Sequence, residues 1–252
     1  MIDDRLLGRA RRLWVGLAGV PVVFKDWAVD VTVSPGSLLC PAGWVGIVGL
    51  GNAVIATAPD EDAAEIVRRA LSDLPVIALI DAVAVGGRLP VAEVLGPATL
   101  AYCEIAGFRP IASRAVEVVR ADGSDVEGLL TRVPAEDAAE SGLVEITSPA
   151  FVVRAGLDVV AAAGYRMWPG STAHVSVLTV PAVRGRGLAR VAATAAVTHA
   201  LEAGLMPQWR ARPQASRRVA RALGFRELGS QLSVRLLPAG AAEGVDTLAR
   251  LG

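Results

Sequence analysis

The stretch Val177-Leu178-Thr179-Val180-Pro181-Ala182-Val183-Arg184-Gly185-Arg186-Gly187-Leu188-Ala189 decides how this chain is read. Its first residues are apolar β-formers, and Pro181 ends them. Two glycines follow, and then a helical run to about Ala203, closed by Gly204. The order is strand, glycine turn, helix. The first amide N–H groups of a helix have no partner inside it. Together with the helix dipole they attract anions. Glycines let the backbone approach a phosphate with no Cβ in the way. Gly185 and Gly187 sit where such amides would point outward.

Other phosphate loops do not fit. A Walker A loop ends in Gly-Lys-Ser/Thr, which is missing here. A dinucleotide fingerprint requires a third glycine where this chain has Arg190.

The neighbourhood reads as an α/β layer structure. Ala115 to Val119 alternates as a strand, and Ser124 or Asp125 caps a helix toward Arg132. Ala150 to Ala155 and Val159 to Arg166 form a hairpin about Gly156. Ala173 to Val180 is the strand that feeds the glycine turn. Pro207 to Arg212 is a short strand, Ser216 to Leu223 a helix ended by Gly224, and Gln231 to Leu236 a last strand.

Arg184-x-x-Gly187-x-Ala189, following Val177-Leu178-Thr179, closely resembles motif A of the GNAT N-acetyltransferase superfamily. Ala215-Ser216-Arg217-Arg218-Val219-Ala220-Arg221-Ala222-Leu223-Gly224-Phe225 resembles its motif B helix. Order and spacing agree over about Ala112 to Leu237. The resemblance implies a mixed sheet splayed between its fourth and fifth strands, flanked by helices, with acetyl-CoA as co-substrate and no metal. Val177, Leu178 and Thr179 would then meet the pantetheine and thioester. Arg184, Gly185, Arg186, Gly187, Leu188, Ala189 and Arg190 would cradle the pyrophosphate. The implied activity is acyl transfer, most simply of acetyl, to a primary amine by direct attack in a ternary complex.

The sequence also departs from the family. In the ribosomal-protein alanine acetyltransferase branch a Glu base, an Asn and a Tyr acid fall where this chain has Gln208, Pro213 and Ala220. None offers the same chemistry. In the histone acetyltransferase branch a Glu stands near Ala173 or His174. His174, with an ordinary pKa near ~6.5, is the candidate general base. Alternation puts it on the face opposite Ala173, and only a bulge would re-aim it. The rival reading is a non-catalytic acyl-CoA binding or sensing module. His199 and Tyr165 read as packed residues, Glu145 as a loop carboxylate, and Ser216 as a helix cap. Among Arg210, Arg212, Arg217, Arg218 and Arg221, one or two could pair with the 3′-phosphate of CoA.

The first half carries no phosphate loop. Asp3 could cap a helix through Leu13. Val29 to Val33 and Ala53 to Ala58 read as strands and Asp62 to Ser72 as a helix. Val91 to Leu95 is extended, and a helix passes through Tyr102 to Ala106. Leu100 to Arg109 faintly echoes Val219 to Arg226, with Gly-Phe-Arg in both. This half is an α/β accessory domain walling the acceptor side, or a degenerate repeat of the transferase fold. The expected domains are 1–112, 113–238 and a tail, 239–252.

Whole-chain composition sets the bounds. Hydrophobic residues make up 53% and charged residues 20% of 252, a core-forming balance. Lys+Arg and Asp+Glu are both 25, which argues against a nucleic-acid or polybasic membrane partner. Cys40 and Cys103 form no C-x-x-C and lie outside the expected site. Arg9 to Phe24 mimics a secretion signal, but Asp3, Asp4 and Pro21 spoil it. The expectation is a soluble, cytoplasmic protein whose partners are acetyl-CoA and an amine, with a homodimer open.

Overall fold

The computed structural model describes residues 5–113 and 115–238. The expected tail, 239–252, and the capping residue Asp3 lie outside them. The chain forms two compact units, Met1–Thr99 with Leu228–Gly252, and Leu100–Glu227. The C-terminal strand is thus grouped with the first unit, whereas the sequence reading expected domains 1–112 and 113–238 before the tail.

The first unit opens with α1 (Arg5–Ala18), followed by the strands β1 (Val29–Val33), β2 (Val45–Leu50) and β3 (Ala53–Ala58). α2 (Glu61–Leu71) is capped by Asp60, whose side chain accepts from Ala63 N–H. α3 (Ala82–Gly86) leads to β4 (Val91–Tyr102). The strand β10 (Arg226–Leu236) pairs antiparallel to β2, from Gly229↔Leu50 to Val234↔Val45. β1 is parallel to β3, and β2 and β3 are antiparallel. All residues of β2 and β3 are buried, so both read as unbroken apolar runs. They pack on Ala63, Ala64, Val67 and Leu71 of α2.

The second unit begins with the last residues of β4 and continues with β5 (Val116–Val119), α4 (Ser124–Leu130) and α5 (Ala135–Ser141). Then come β6 (Ala150–Ala155), β7 (Asp158–Trp168) and β8 (Thr172–Thr179), α6 (Leu188–Glu202), β9 (Met206–Ala211) and α7 (Gln214–Ala222). The strand order β9-β8-β7-β6-β5 is antiparallel except for β8 and β9, which are parallel. α6 lies on one face. Its Ala192, Ala193, Ala196 and Ala200 are fully buried against Val153, Ala161, Ala163, Ala173 and Val175. Small side chains let the helix approach the sheet closely. α4 covers the other face, where Val126 and Leu129 meet Val152, Ala162 and Leu178. The architecture is therefore mixed α and β with helices on both faces, as the sequence predicts.

Two expected caps are not formed. α4 starts after Gly123 with no side-chain cap, and neither Ser124 nor Asp125 fills that role. Likewise Ser216 lies inside α7. Its Oγ accepts from Trp209 Nε1 at 2.9 Å, and so ties the helix to β9.

Candidate functional site

The ladder between β8 and β9 runs from Thr172↔Met206 to His174↔Gln208 and goes no further. Beyond that pair the strands continue, to Thr179 and Ala211, with a cleft between them. The cleft has a volume of about 610 Å³, within the range usual for small-molecule sites. Val175, Val177 and Thr179 line one wall and Trp209 and Ala211 the other. The glycine turn stands at the open end of the splay, past Thr179.

Backbone directions follow from one bond. Val180 N–H donates to Val160 O at 3.0 Å, so the even-numbered residues of β8 turn their backbone groups toward β7. Alternation then aims those of Val175, Val177 and Thr179 toward the gap. The carbonyl of Thr179 accepts from Arg184 Nε at 3.1 Å. Thr179 Oγ1 and Arg190 Nε are buried, line the cleft and have no hydrogen-bond partner.

The glycine turn has the form an anion site needs. Gly185 and Gly187 have φ of +80° and +79°, values that favour glycine, and a Cβ on either would meet nothing within 4 Å. Gly187 is the N-cap of the 15-residue α6, with no side chain capping it. The first amides of that terminus therefore have no side-chain acceptor.

His174 is placed differently. The β7–β8 register is unbroken from Trp168↔Thr172 to Ala161↔Thr179, so no bulge re-aims it. It shares a face with Leu178, opposite the α6 side that holds Ala173 and Val175. Its ring stacks on Trp168, with centroids 4.0 Å apart and planes at 10°. Nδ1 lies 2.5 Å from Gln208 Oε1. Burial first, then the Arg210 and Arg166 cations, push its pKa down to about 3, against the opposing pull of the Gln208 bond. The ring is neutral at physiological pH, and it is not among the residues lining the cleft.

The remaining polar residues are mostly engaged elsewhere. Tyr165 Oη lies 2.9 Å from His199 Nδ1, on the α6 side. Glu145 pairs with Arg166 at 2.5 Å. Arg217 and Arg221 both clasp Glu227, at 3.0 and 2.8 Å, and hold its carboxyl at about 2. Arg212 pairs with Glu140 and Arg184 with Asp137. Arg218 and Arg210 line the cleft. Sequence reasoning missed Asp137 and Glu140. They lie on α5, a seven-residue helix with too little apolar periodicity to announce itself.

The family model for GNAT acetyltransferases matches residues 149–230, from just before β6 into β10. This segment is a GNAT acetyltransferase domain. Motif A of the GNAT domain is the β8–α6 turn and motif B is α7. A solved structure assigned to the GNAT family from Novosphingobium aromaticivorans is 21% identical, over 57% of this chain and 65% of its own, with a TM-score of 0.47. A GCN5-related N-acetyltransferase from Kribbella flavida is 18% identical over 65% and 66%, with a TM-score of 0.44. The chain spans less than two thirds of either. The yncA protein of Salmonella typhimurium, solved with acetyl-CoA, is 20% identical over 51% of this chain and 97% of its own, with a TM-score of 0.35. At these scores the solved structures add no weight to the family match. No curated protein matches the chain. Among the described residues no helix is long and apolar enough to cross a membrane.

Proposed function

We propose that this protein is an acyl-CoA-dependent N-acyltransferase that moves an acetyl group to a primary amine in the β8–β9 cleft. The observation that carries this reading is the meeting of two features in one cavity. A strand edge offers backbone groups along Val175 to Thr179, and an uncapped helix terminus with two left-handed glycines stands at its end. A ligand with an amide-bearing arm and a diphosphate fits both. The buried, partnerless Thr179 Oγ1 and Arg190 Nε support a polar occupant. Arg184, Gly185, Arg186, Gly187, Leu188, Ala189 and Arg190 would hold the diphosphate. Val177, Leu178 and Thr179 would hold the arm and thioester.

When bound, the thioester would supply the acyl carbon: the C–N bond to the amine would form, the C–S bond would break to release CoA, and the proton lost by the amine would balance the one taken up by the leaving thiolate. Backbone N–H groups of β8 that face the gap would stabilise the oxyanion. Asp137 and Glu140 are the carboxylates of the lining, and both are paired with arginines. A ring pushed down to about 3 is a weak proton acceptor, so the neutral fraction of the amine, or water, is the better route for the proton. His174 then holds Gln208 at the point where the strands part.

One observation favours the non-catalytic alternative. Gln208 and Ala220 stand where family members carry acid–base groups, and both are fully or almost fully buried. Release of CoA from acetyl-CoA across a panel of amines separates the readings. Turnover with any amine supports the enzyme. Binding without release under every amine supports the sensor.

A further inference from the structure

α5 stands out in the second unit because none of its side chains is buried. Pro134 precedes it, and Gly142 ends it at φ +61°. It is tied to each wall of the cleft by one ion pair. Asp137 meets Arg184 at 2.6 Å, on the turn that follows β8. Glu140 meets Arg212, which follows β9. Both carboxylates line the cleft, and Arg184 lies in the glycine turn.

We infer that α5 is an autoinhibitory ionic strap across the open end of the splay. The Asp137 carboxylate takes the place on Arg184 that a phosphate of the incoming ligand would take. Glu140 anchors the other end of the strap to Arg212. An anion entering the glycine turn competes for Arg184, frees Asp137 and releases that end of α5. With no apolar anchor, the helix then pivots between Pro134 and Gly142 with little loss of burial. The strap therefore screens ligands by charge. A phosphate-bearing molecule can displace it, while a neutral thioester of the same acyl group has nothing to exchange with Asp137. The inference rests on the acyl-CoA reading of the cleft.

The sign of the effect separates this role from a scaffolding one. A structural helix loses ligand affinity when its ion pairs are cut. An autoinhibitory strap gains it when Asp137 is neutralised, because the ligand no longer has to displace that carboxylate from Arg184. Exposed ion pairs are worth about 0.2–1 kcal/mol, so removing one should tighten binding by about 1.5–5-fold. The test is calorimetric titration of the full chain with coenzyme A, for wild type, Asp137→Asn, Glu140→Gln and the double variant. Hydrogen exchange of 135–141 without ligand is followed alongside. The expected result is tighter binding in Asp137→Asn and in the double variant, unchanged binding in Glu140→Gln, and faster exchange in α5 in all three. If wild type binds and Asp137→Asn and the double variant bind equally or more weakly, the strap is overturned and the acyl-CoA reading stands. If wild type shows no binding but the double variant does, the strap is supported in its strongest form. If neither binds, both readings fall.

Discussion

His174 and Gln208 are the last register pair between two parallel strands, and their side chains are joined at 2.5 Å where those strands separate. The bond crosses the vertex of the cleft. It keeps β8 and β9 in register below the opening, and it does so with a neutral ring.

The first prediction concerns that ring. His174→Gln should leave turnover within about tenfold of wild type, with a rate that climbs with pH as the amine loses its proton. A fall of about 10²–10⁴-fold with loss of a titration near neutrality would make His174 the base instead. Stability gives a second readout. The native pKa, about 3, lies below the unfolded value, near 6.5. The unfolded chain therefore binds the proton first, and stability falls as pH drops from about 6.5 toward 3. In His174→Gln this part of the slope should vanish from urea unfolding curves measured across that window.

Two glycines that look equivalent should behave differently. Gly107 and Gly224 each precede a Phe-Arg pair, and the two turns pack together, with Arg109 N–H donating to Leu223 O at 2.9 Å. A Cβ at Gly224 would stand 1.9 Å from the Gly107 carbonyl oxygen, at φ +91°, whereas one at Gly107 would lie 3.6 Å from its nearest neighbour. Gly224→Ala should cost about 2–5 kcal/mol by denaturant unfolding. Gly107→Ala should stay within about 0.5 kcal/mol.

Glu227 ties α7 to the start of β10 through Arg217 and Arg221. Its folded pKa, about 2, lies below the ordinary value of 4.5. The stabilisation is thus complete above about 4.5 and is lost as pH falls toward 2. Glu227→Gln should lower stability at neutral pH by roughly 0.2–1 kcal/mol per pair, and its curve should converge on wild type only as pH falls to about 2. Curves that stay parallel through acid would contradict this.

Gly187→Glu places a charge in the glycine turn. Space around its Cβ is open, so the fold should survive at the expense of a strained φ. Wild type should gain about 2.7 kcal/mol of stability at a hundredfold excess of acetyl-CoA over the dissociation constant, and the variant should gain none. An equal melting shift in both would remove the glycine turn from the site.

The readable and unreadable parts of the sequence differ for physical reasons. β1 begins and ends where its apolar alternation does, β3 where its apolar run does, and α6 follows from its glycine entry and alanine run. β4 was misread. Gly96-Pro97 looks like a break, and Tyr102 to Ala106 looks helical, yet one strand runs from Val91 to Tyr102 and a 3-10 turn follows at Ile105 to Gly107. Tertiary pairing overrode local punctuation there. β2 hides its strand character behind Gly46 and Gly49, where a Cβ would fall 2.7 Å from Leu39 and from Ile80. The β8 edge and the glycine turn are legible because strand and glycine geometry write themselves into the sequence. α5 is not, because its ion pairs to Arg184 and Arg212 span 47 and 72 residues.

The central claim is that the β8–β9 gap and the glycine turn hold acyl-CoA. Hydrogen exchange of the full chain, with and without saturating acetyl-CoA, tests it most directly. The account predicts new protection over 175–179 and 185–190, the open strand edge and the uncapped helix terminus. Protection absent from both segments, or confined to Arg5–Ala58 in the first unit, would contradict it.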